Sequence, residues 1–323
     1  MRIITRNLWV CGLFVLFALL LAFTRIIQPN YGASGIGSLV SAAVPFAFAA
    51  VAQTVVIIAG GVDLSIASMM AFTSVVSATM MEGAGEGYAV FVVGFVLVLG
   101  VLMGAINGSL IVLTRVPDIV VTLAMLFVWA GAALLLRDAP GGGVAEWLRG
   151  LLVGTAAVPG VPTAVTDWIP KGLVLLVVCV AIVWIPLSRS KLGLSIYAIG
   201  SDSLAAFRSG VAVHWTRIAA YAFAGLFSAM GGLALTMTTG IGAPIPGPYL
   251  LASVAAAVLG GAALGGGRGG IAGPLVAVFI LRLVRSDLTF LSVDPNVTTI
   301  VEGTIMVLVV MLGALLSKRG RTT

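Results

Sequence analysis

The sequence predicts an all-α polytopic membrane protein with about ten transmembrane helices. Of its 323 residues, 60% are apolar and only 9% are charged, whereas soluble domains carry about 25% charged residues. Apolar runs close to the ~20 residues that a helix needs to cross a bilayer recur from end to end. They lack the short alternating segments of a transmembrane barrel. We therefore expect residues 1–323 to form a single membrane domain.

Ten apolar segments are candidate transmembrane helices. The first, Leu8 to about Ile27, follows Arg2 and Arg6 as a signal peptide would, but its apolar run is long for one. We interpret it as a membrane helix. The other candidates are 37–59, 64–81, 88–113, 118–137, 171–188, 216–238, 249–265, 271–289 and 297–316.

The distribution of charge predicts the orientation. An even number of spans places both termini on the same side. With the termini inside, eleven of the 17 Lys and Arg residues but only three of the 11 acids fall on the cytoplasmic side, as the positive-inside rule requires. This topology makes 138–170 a periplasmic loop and 189–216 a cytoplasmic loop, in a multi-pass protein of the bacterial inner membrane. Within the periplasmic loop, 144–152 is a candidate surface helix, and the loop is a possible docking face for a partner.

Several function classes have no support. The net charge of +6 does not indicate nucleic-acid binding, because the cations sit at the ends of apolar segments. Cys11 and Cys179 fall inside apolar segments, which favours packing over a disulfide or metal site. No Ser/His/Asp set, carboxylate pair or metal-ligand cluster occurs at membrane depth, and His214 is the only histidine. We expect neither catalysis nor a metal site in this chain.

The cytoplasmic loop contains a short helix that lacks a packing partner of its own. Ser201 or Ser203 is the candidate N-cap, Leu204 and Phe207 share one face, and Gly210 is the candidate stop. A helix this short is marginal in water by itself. It therefore predicts a contact with a second, soluble protein.

A polar interruption follows the second span. Gly60 and Gly61 loosen the helix, and Asp63 and Ser65 are able to cap the next one. This is either a tight capped turn or a broken helix beside a translocation path, as transporters use. Polar side chains also occur inside spans, and with the interruption they make four candidate path residues: Gln53, Asp63, Ser65 and Asn107.

Glycines recur in two other places. Gly100, Gly104 and Gly108 lie on one face of the fourth span, where small residues let two helices approach closely. The stretch 265–270 is glycine-rich, but no Gly-Lys-Ser/Thr follows it here or elsewhere in the chain. It predicts a close-packed turn and gives no ATP site.

Three of these motifs together resemble a known family. Residues 60–65, Gly-Gly-Val-Asp-Leu-Ser, resemble the Gly-Gly-Ile-Asp-Leu-Ser signature of ribose-type permeases, the membrane subunits of bacterial ABC sugar importers. Residues 191–211 are similar to that family's cytoplasmic coupling segment, and 258–269 to its third signature. Many members carry Glu-Leu-Asp before the third signature, where residues 248–253 here read Pro-Tyr-Leu-Leu-Ala-Ser.

The resemblance implies a permease of the type II-importer kind, paired with a second copy or with a sister permease. It also implies ATPase subunits that hold ATP and Mg, a periplasmic binding protein, and no cofactor on this chain. The coupling residues that it implies are Ser201, Asp202, Ser203, Leu204, Ala205, Ala206, Phe207, Arg208, Ser209 and Gly210.

The leading hypothesis is a non-catalytic permease subunit that translocates a neutral solute, most readily a monosaccharide. Permeases for nucleosides or branched-chain amino acids share the architecture and stay open as alternatives. An ion-coupled secondary transporter is a rival, although such proteins usually place an ionisable group near the bilayer midplane. A structural membrane scaffold is a further rival from a different class.

Overall fold

The computed structural model describes residues 8–156 and 162–319. Every regular element within these residues is a helix, apart from two isolated bridges that join Gly141 to Gly242 and Thr155 to Pro170. The all-helical class is therefore confirmed. Arg2, Arg6 and Arg321, which contribute to the predicted charge asymmetry, lie outside the described residues, as does the part of the predicted periplasmic loop at 157–161.

The helices follow one another with short connections. The first seven are α1 (Leu8–Ile27), α2 (Ala33–Ile58), α3 (Ile66–Met81), α4 (Tyr88–Thr114), α5 (Asp118–Leu136), α6 (Glu146–Leu152) and α7 (Thr163–Thr166). The remaining seven are α8 (Lys171–Arg189), α9 (Lys191–Ser201), α10 (Ser203–Arg208), α11 (Val213–Thr239), α12 (Tyr249–Leu259), α13 (Ala272–Phe290) and α14 (Pro295–Arg319).

The centre of the bundle is formed by α2 and α11. Between Val44 and Ile58 every residue of α2 is buried, and many of them are alanines and valines, so neighbouring helices approach it from all sides. Helix α11 packs most extensively against α4, and then against α2 and α3. A helix that is apolar all round belongs in the interior of a bundle, which explains why α2 lies at the centre.

Glycines set the approach of α4 to α11. A β-carbon on Gly100 would stand 2.5 Å from the carbonyl oxygen of Gly225, and one on Gly108 would stand 2.9 Å from the Cα of Ile218. At Gly104 it would overlap the backbone of Tyr221. The two backbones are in contact along this face, as small residues permit in a membrane.

The peripheral helices expose apolar side chains. In α1, α5 and α8 most side chains face outward, including Leu19, Phe127 and Ile182, which are more than half exposed. A surface of this kind is stable only against lipid or another apolar surface. Six of the described helices are long and apolar enough to cross a bilayer: α1, α2, α4, α5, α8 and α11.

One predicted segment differs from the structure, and another agrees with it. The segment 249–265 was expected to be a span, but α12 ends at Leu259. A β-carbon on Gly260 would overlap Pro274, so this close contact with the start of α13 fixes the chain where the helix stops. The surface helix predicted within 144–152 is present as α6, and its Leu148 and Leu152 are buried against the bundle.

Candidate functional site

The four predicted path residues lie together in one buried polar network. The Asn107 amide donates to the Ser65 hydroxyl at 2.7 Å, and that hydroxyl donates to the Asp63 carboxylate at 2.6 Å. The Ser65 backbone N–H donates to the same carboxylate oxygen at 2.8 Å. With its amide oriented to satisfy both neighbours, Gln53 donates to the Asp63 carbonyl at 2.8 Å and accepts from the Asp63 N–H at 3.3 Å.

This polar network is closed to solvent. Gln53, Asp63, Ser65 and Asn107 are each at most 1% exposed. Its outermost member, Trp129, donates from its indole N–H to the Asn107 side chain at 3.3 Å. Sequence analysis did not select Trp129. The network ties α2, α4 and α5 to the connection that precedes α3, and it holds that connection in its non-helical form.

A second set of contacts joins three chain segments through glycines, which we call the glycine junction: Gly60, Gly200, Gly266 and Gly267. A β-carbon on Gly200 would stand 2.6 Å from the backbone nitrogen of Gly267, and one on Gly266 would stand 2.8 Å from the Cα of Gly60. Gly60, Gly266 and Gly267 also have positive φ angles of 86°, 77° and 69°, a region that favours glycine. Side chains are excluded from this junction because the neighbouring backbone is too close and because positive φ angles disfavour residues other than glycine.

Hydrogen bonds fix the glycine junction. The Gly267 N–H donates to the Ile58 carbonyl at 2.9 Å, and the Tyr197 hydroxyl donates to the Gly269 carbonyl at 2.9 Å. The three motifs that resemble the permease family therefore meet at one place. The end of α9 is in direct contact with the segment that carries Asp63, three residues beyond Gly60.

The short helix predicted in the 189–216 loop is present as α10, but its cap differs from the prediction. Either Ser201 or Ser203 is the predicted cap, whereas the Asp202 carboxylate accepts from the Leu204 and Ala205 N–H groups at 2.9 and 3.0 Å. Ser201 is instead the last residue of α9, where its hydroxyl donates to the Tyr197 carbonyl. A carboxylate also interacts favourably with the positive end of the helix.

The end of α10 follows the predicted pattern. Gly210 has a φ of 83°, and its N–H donates to the Phe207 carbonyl at 3.0 Å. Of the residues in α10, Ala206 alone is buried, and it faces the bundle. The remaining residues of the predicted coupling segment are exposed, which leaves most of this helix without a partner within the described chain.

Large apolar side chains are exposed on this helix and at the start of the next one. Leu204 is 57% exposed, Phe207 66% and Trp215 74%. Trp215 is in the first turn of α11, and sequence analysis did not select it, although an aromatic residue next to a charged loop is a usable signal. We call these three residues the apolar coupling face.

No group of three or more His, Cys, Asp or Glu side chains suited to a metal occurs among the described residues. The two cysteines, Cys11 and Cys179, are both free.

Comparisons with known proteins match this architecture to one family. Residues 35–310 match the family described as branched-chain amino acid transport system / permease component. No solved structure matches the chain.

Curated relatives cover most of the chain. Permease proteins LsrD of the autoinducer 2 import system are 30% identical over 267 residues in Escherichia coli strain K12, Escherichia coli O157:H7 and Shigella flexneri. The match covers 80% of this chain and 77% of each relative. The predicted identity as a permease subunit of an ABC importer, located in the inner membrane as a multi-pass protein, is confirmed. This chain belongs to the branched-chain amino acid transport system / permease component family.

Proposed function

We propose that this permease translocates a neutral, monosaccharide-like solute delivered by a periplasmic binding protein, and that a separate ATPase pair drives it. The apolar coupling face carries this proposal. Two exposed apolar side chains on the short helix α10 and Trp215 at the start of α11 fit a soluble partner, and the glycine junction joins the preceding helix α9 to the bundle interior. The relatives' name, an autoinducer 2 import permease, supports a small polar solute.

The proposed coupling route runs from the ATPase partner through α10 and the glycine junction to the buried polar network. ATP and Mg bind in the partner, whose closure would move α10 and the end of α9. Because Gly200 touches Gly60 and Gly266, that movement reaches the segment holding Asp63. The buried network of Gln53, Asp63, Ser65 and Asn107 then acts as the closed gate of the path. Its hydrogen bonds would have to exchange partners when the path opens.

The proposed topology has ten spans with both termini in the cytoplasm. Helices α3, α12, α13 and α14, added to the six helices that are long and apolar enough to cross a bilayer, bring the number of spans to ten. Helices α3 and α12 have only 16 and 11 residues. They are accommodated because irregular backbone at membrane depth is tolerated where it is buried in protein. A second permease copy or a sister permease would cover part of the exposed apolar surface, and lipid the rest.

The first experiment measures ATPase activity of the complex in lipid discs. The permease would be co-purified with its ATPase, and binding proteins loaded with single candidate sugars would be added one at a time. Stimulation by one sugar-loaded protein supports the proposal and identifies the solute. Movement of solute down an ion gradient by the purified chain alone would overturn it in favour of a secondary transporter.

The docking role of the apolar coupling face has its own test. Phe207→Asp places a charge in a contact that apolar packing stabilises, so we expect the ATPase to be lost on purification. Val165→Asp, an apolar position in α7 that is 54% exposed and far along the chain from α10, is the control. Equal retention of the ATPase by both variants would show that this face is not the docking surface.

The family description favours one further candidate, a branched-chain amino acid as solute. Nucleosides are a related alternative. The disc assay separates these possibilities, because a leucine-loaded or nucleoside-loaded binding protein would then stimulate ATP hydrolysis where sugar-loaded proteins do not.

A further inference from the structure

A cavity of about 580 Å³ lies between the start of α2 and the second half of α13, at a distance from the network of Asp63. We call it the α2–α13 cavity. Its lining has two arginines, Arg282 and Arg285, and the hydroxyls of Tyr31, Ser34 and Ser38. The described residues that line it include no carboxylate.

Arg282 lacks a counter-ion. Its guanidinium carbon lies 5.3 Å from the centre of the Phe46 ring and 5.7 Å from that of Tyr249, and its Nη2 donates to the Tyr249 hydroxyl at 3.4 Å. Its Nε is buried without a hydrogen-bond acceptor, and no carboxylate among the described residues forms an ion pair with it. The aromatic faces stabilise the cation only in part, and an ionisable group at such a position usually marks a functional site.

Tyr31 supplies a second unused donor. The side chain is 7% exposed, it lines the cavity, and its hydroxyl has no partner within the described chain. Burial, together with the charge of Asp287, raises the pKa of Tyr31 to about 12. The hydroxyl therefore keeps its proton at neutral pH and is available to donate it in a hydrogen bond.

The start of α2 adds backbone donors. The helix begins at Ala33 after Gly32, which provides no side-chain cap. The N–H groups of the first turn have no acceptor within a helix, and Ser34 and Gly35 of that turn line the cavity. The 26-residue helix α2 directs its positive end at the same space.

The neighbouring charges leave a positive excess. Arg285 forms an ion pair with Glu302 at 3.0 Å, and the buried Asp287 lies close enough to act on Tyr31. Arg25 donates to the Tyr31 carbonyl. Of these groups, three are cations and two are acids, so one positive charge remains, and Arg282 is the cation without a partner.

We propose that the α2–α13 cavity binds a phosphate-type oxyanion, held by the Arg282 guanidinium, the Tyr31 hydroxyl and the free N–H groups at the start of α2. These groups are able to act as donors, and such an anion is rich in acceptor oxygens. A neutral sugar would leave the charge of Arg282 uncompensated. The phosphate belongs either to a phospholipid headgroup or to free inorganic phosphate.

The test measures binding to the purified full-length permease in detergent, without transport. Inorganic phosphate and dioctanoyl phosphatidylglycerol are titrated separately, and the rise in melting temperature is followed. Dioctanoylglycerol, which has the same chains and no phosphate, is the control. Saturable stabilisation by phosphate identifies a free anion, and stabilisation by the phospholipid alone identifies a headgroup. If neither stabilises the protein more than dioctanoylglycerol does, the proposal is overturned.

Variants separate the site from general charge. We expect Arg282→Gln to raise the Kd at least about tenfold, because a charge-assisted bond is lost. Tyr31→Phe keeps the ring and removes only the donor, so it tests the site with little effect on folding and should raise the Kd several-fold. Arg137→Gln, which removes another cation paired to Glu82, should leave binding unchanged. Wild-type affinity in both Arg282→Gln and Tyr31→Phe would contradict the assignment.

Discussion

At the scale of single residues, the amide of Asn107 inside the bundle is satisfied by neighbouring polar side chains. The Asn107 amide N–H donates to the Ser65 hydroxyl, and its amide oxygen accepts from the Trp129 indole N–H. Each donor or acceptor left alone at this depth would cost free energy, since no water replaces the lost partner. This explains why an asparagine is stable in the middle of an apolar helix.

Replacing Asn107 by Ala should therefore destabilise the permease. The substitution removes the donor to the Ser65 hydroxyl and leaves the Trp129 indole N–H without its acceptor, and we expect the free energy of unfolding to fall by about 1–3 kcal/mol. Denaturant titration in micelles measures it. Thr114→Ala removes an exposed bond to the Leu110 carbonyl at the end of the same helix and should cost much less. Equal losses in the two variants would contradict the role given to the network.

Asp202 has a comparable role at the surface. Its carboxylate satisfies two N–H groups at the start of α10. Asp202→Ala should destabilise this helix by about 0.5–2 kcal/mol. Asp202→Asn keeps a capping oxygen and should therefore retain most of the stability of the helix. Hydrogen exchange of residues 203–208 measures the change. Unchanged exchange in the Ala variant would show that packing of Ala206 alone holds the helix.

At the scale of elements, α9 and α10 gain their order from contacts outside their own sequence. The two helices have 11 and 6 residues, too few for stable helices in water. The end of α9 is held at the glycine junction, and α10 is attached to it directly. A movement imposed on α10 therefore has a short path to Gly60 and the segment beyond it.

Gly200→Ala tests this connection. The added methyl group would overlap backbone atoms of Ile58 and Gly267, so the segments must separate, at a cost of about 1–3 kcal/mol. We expect the ATPase to co-purify normally while solute-stimulated ATP hydrolysis is lost. Gly37→Ala, inside α2 with no atom within 4 Å of the added carbon, is the control and should retain full stimulation. Normal stimulation in Gly200→Ala would mean that coupling does not pass through the junction.

At the scale of the whole molecule, apolar surface and charge decide how the chain lies in the membrane. The outward faces of α1, α5 and α8 are apolar, and lipid or a second permease must cover them. The cations collect at the ends that we assign to the cytoplasm. The bundle has α2 and α11 at its centre, and the helices with apolar outward faces lie outside them.

Cysteine labelling tests the proposed topology. In a variant with Cys11 and Cys179 replaced by Ser, a single cysteine at Ser203 should react with an impermeant maleimide only from the cytoplasmic side. One at Asp167 should react only from the periplasmic side; both native residues are exposed. Intact spheroplasts and inverted vesicles distinguish the two. Reversed or same-side labelling would overturn the ten-span arrangement.

The sequence by itself determined the class of the protein, the order of its helices and its family. These depend on local composition, because a long apolar run forms a helix in a membrane wherever it occurs. The end of α10 at Gly210 was also predictable, since left-handed backbone favours glycine. The choice of Asp202 over two neighbouring serines as cap was not, because aspartate and serine both cap helices well.

Only the tertiary structure decided which distant residues meet. It joined Gln53, Asp63, Ser65 and Asn107 into one network and brought Gly60, Gly200 and Gly266 into contact. It also placed Arg282, which the charge pattern assigned to the outer side, between two aromatic rings beside a cavity. Such contacts depend on how helices from separate parts of the chain pack, and the periodicity of any one segment carries no information about its neighbours.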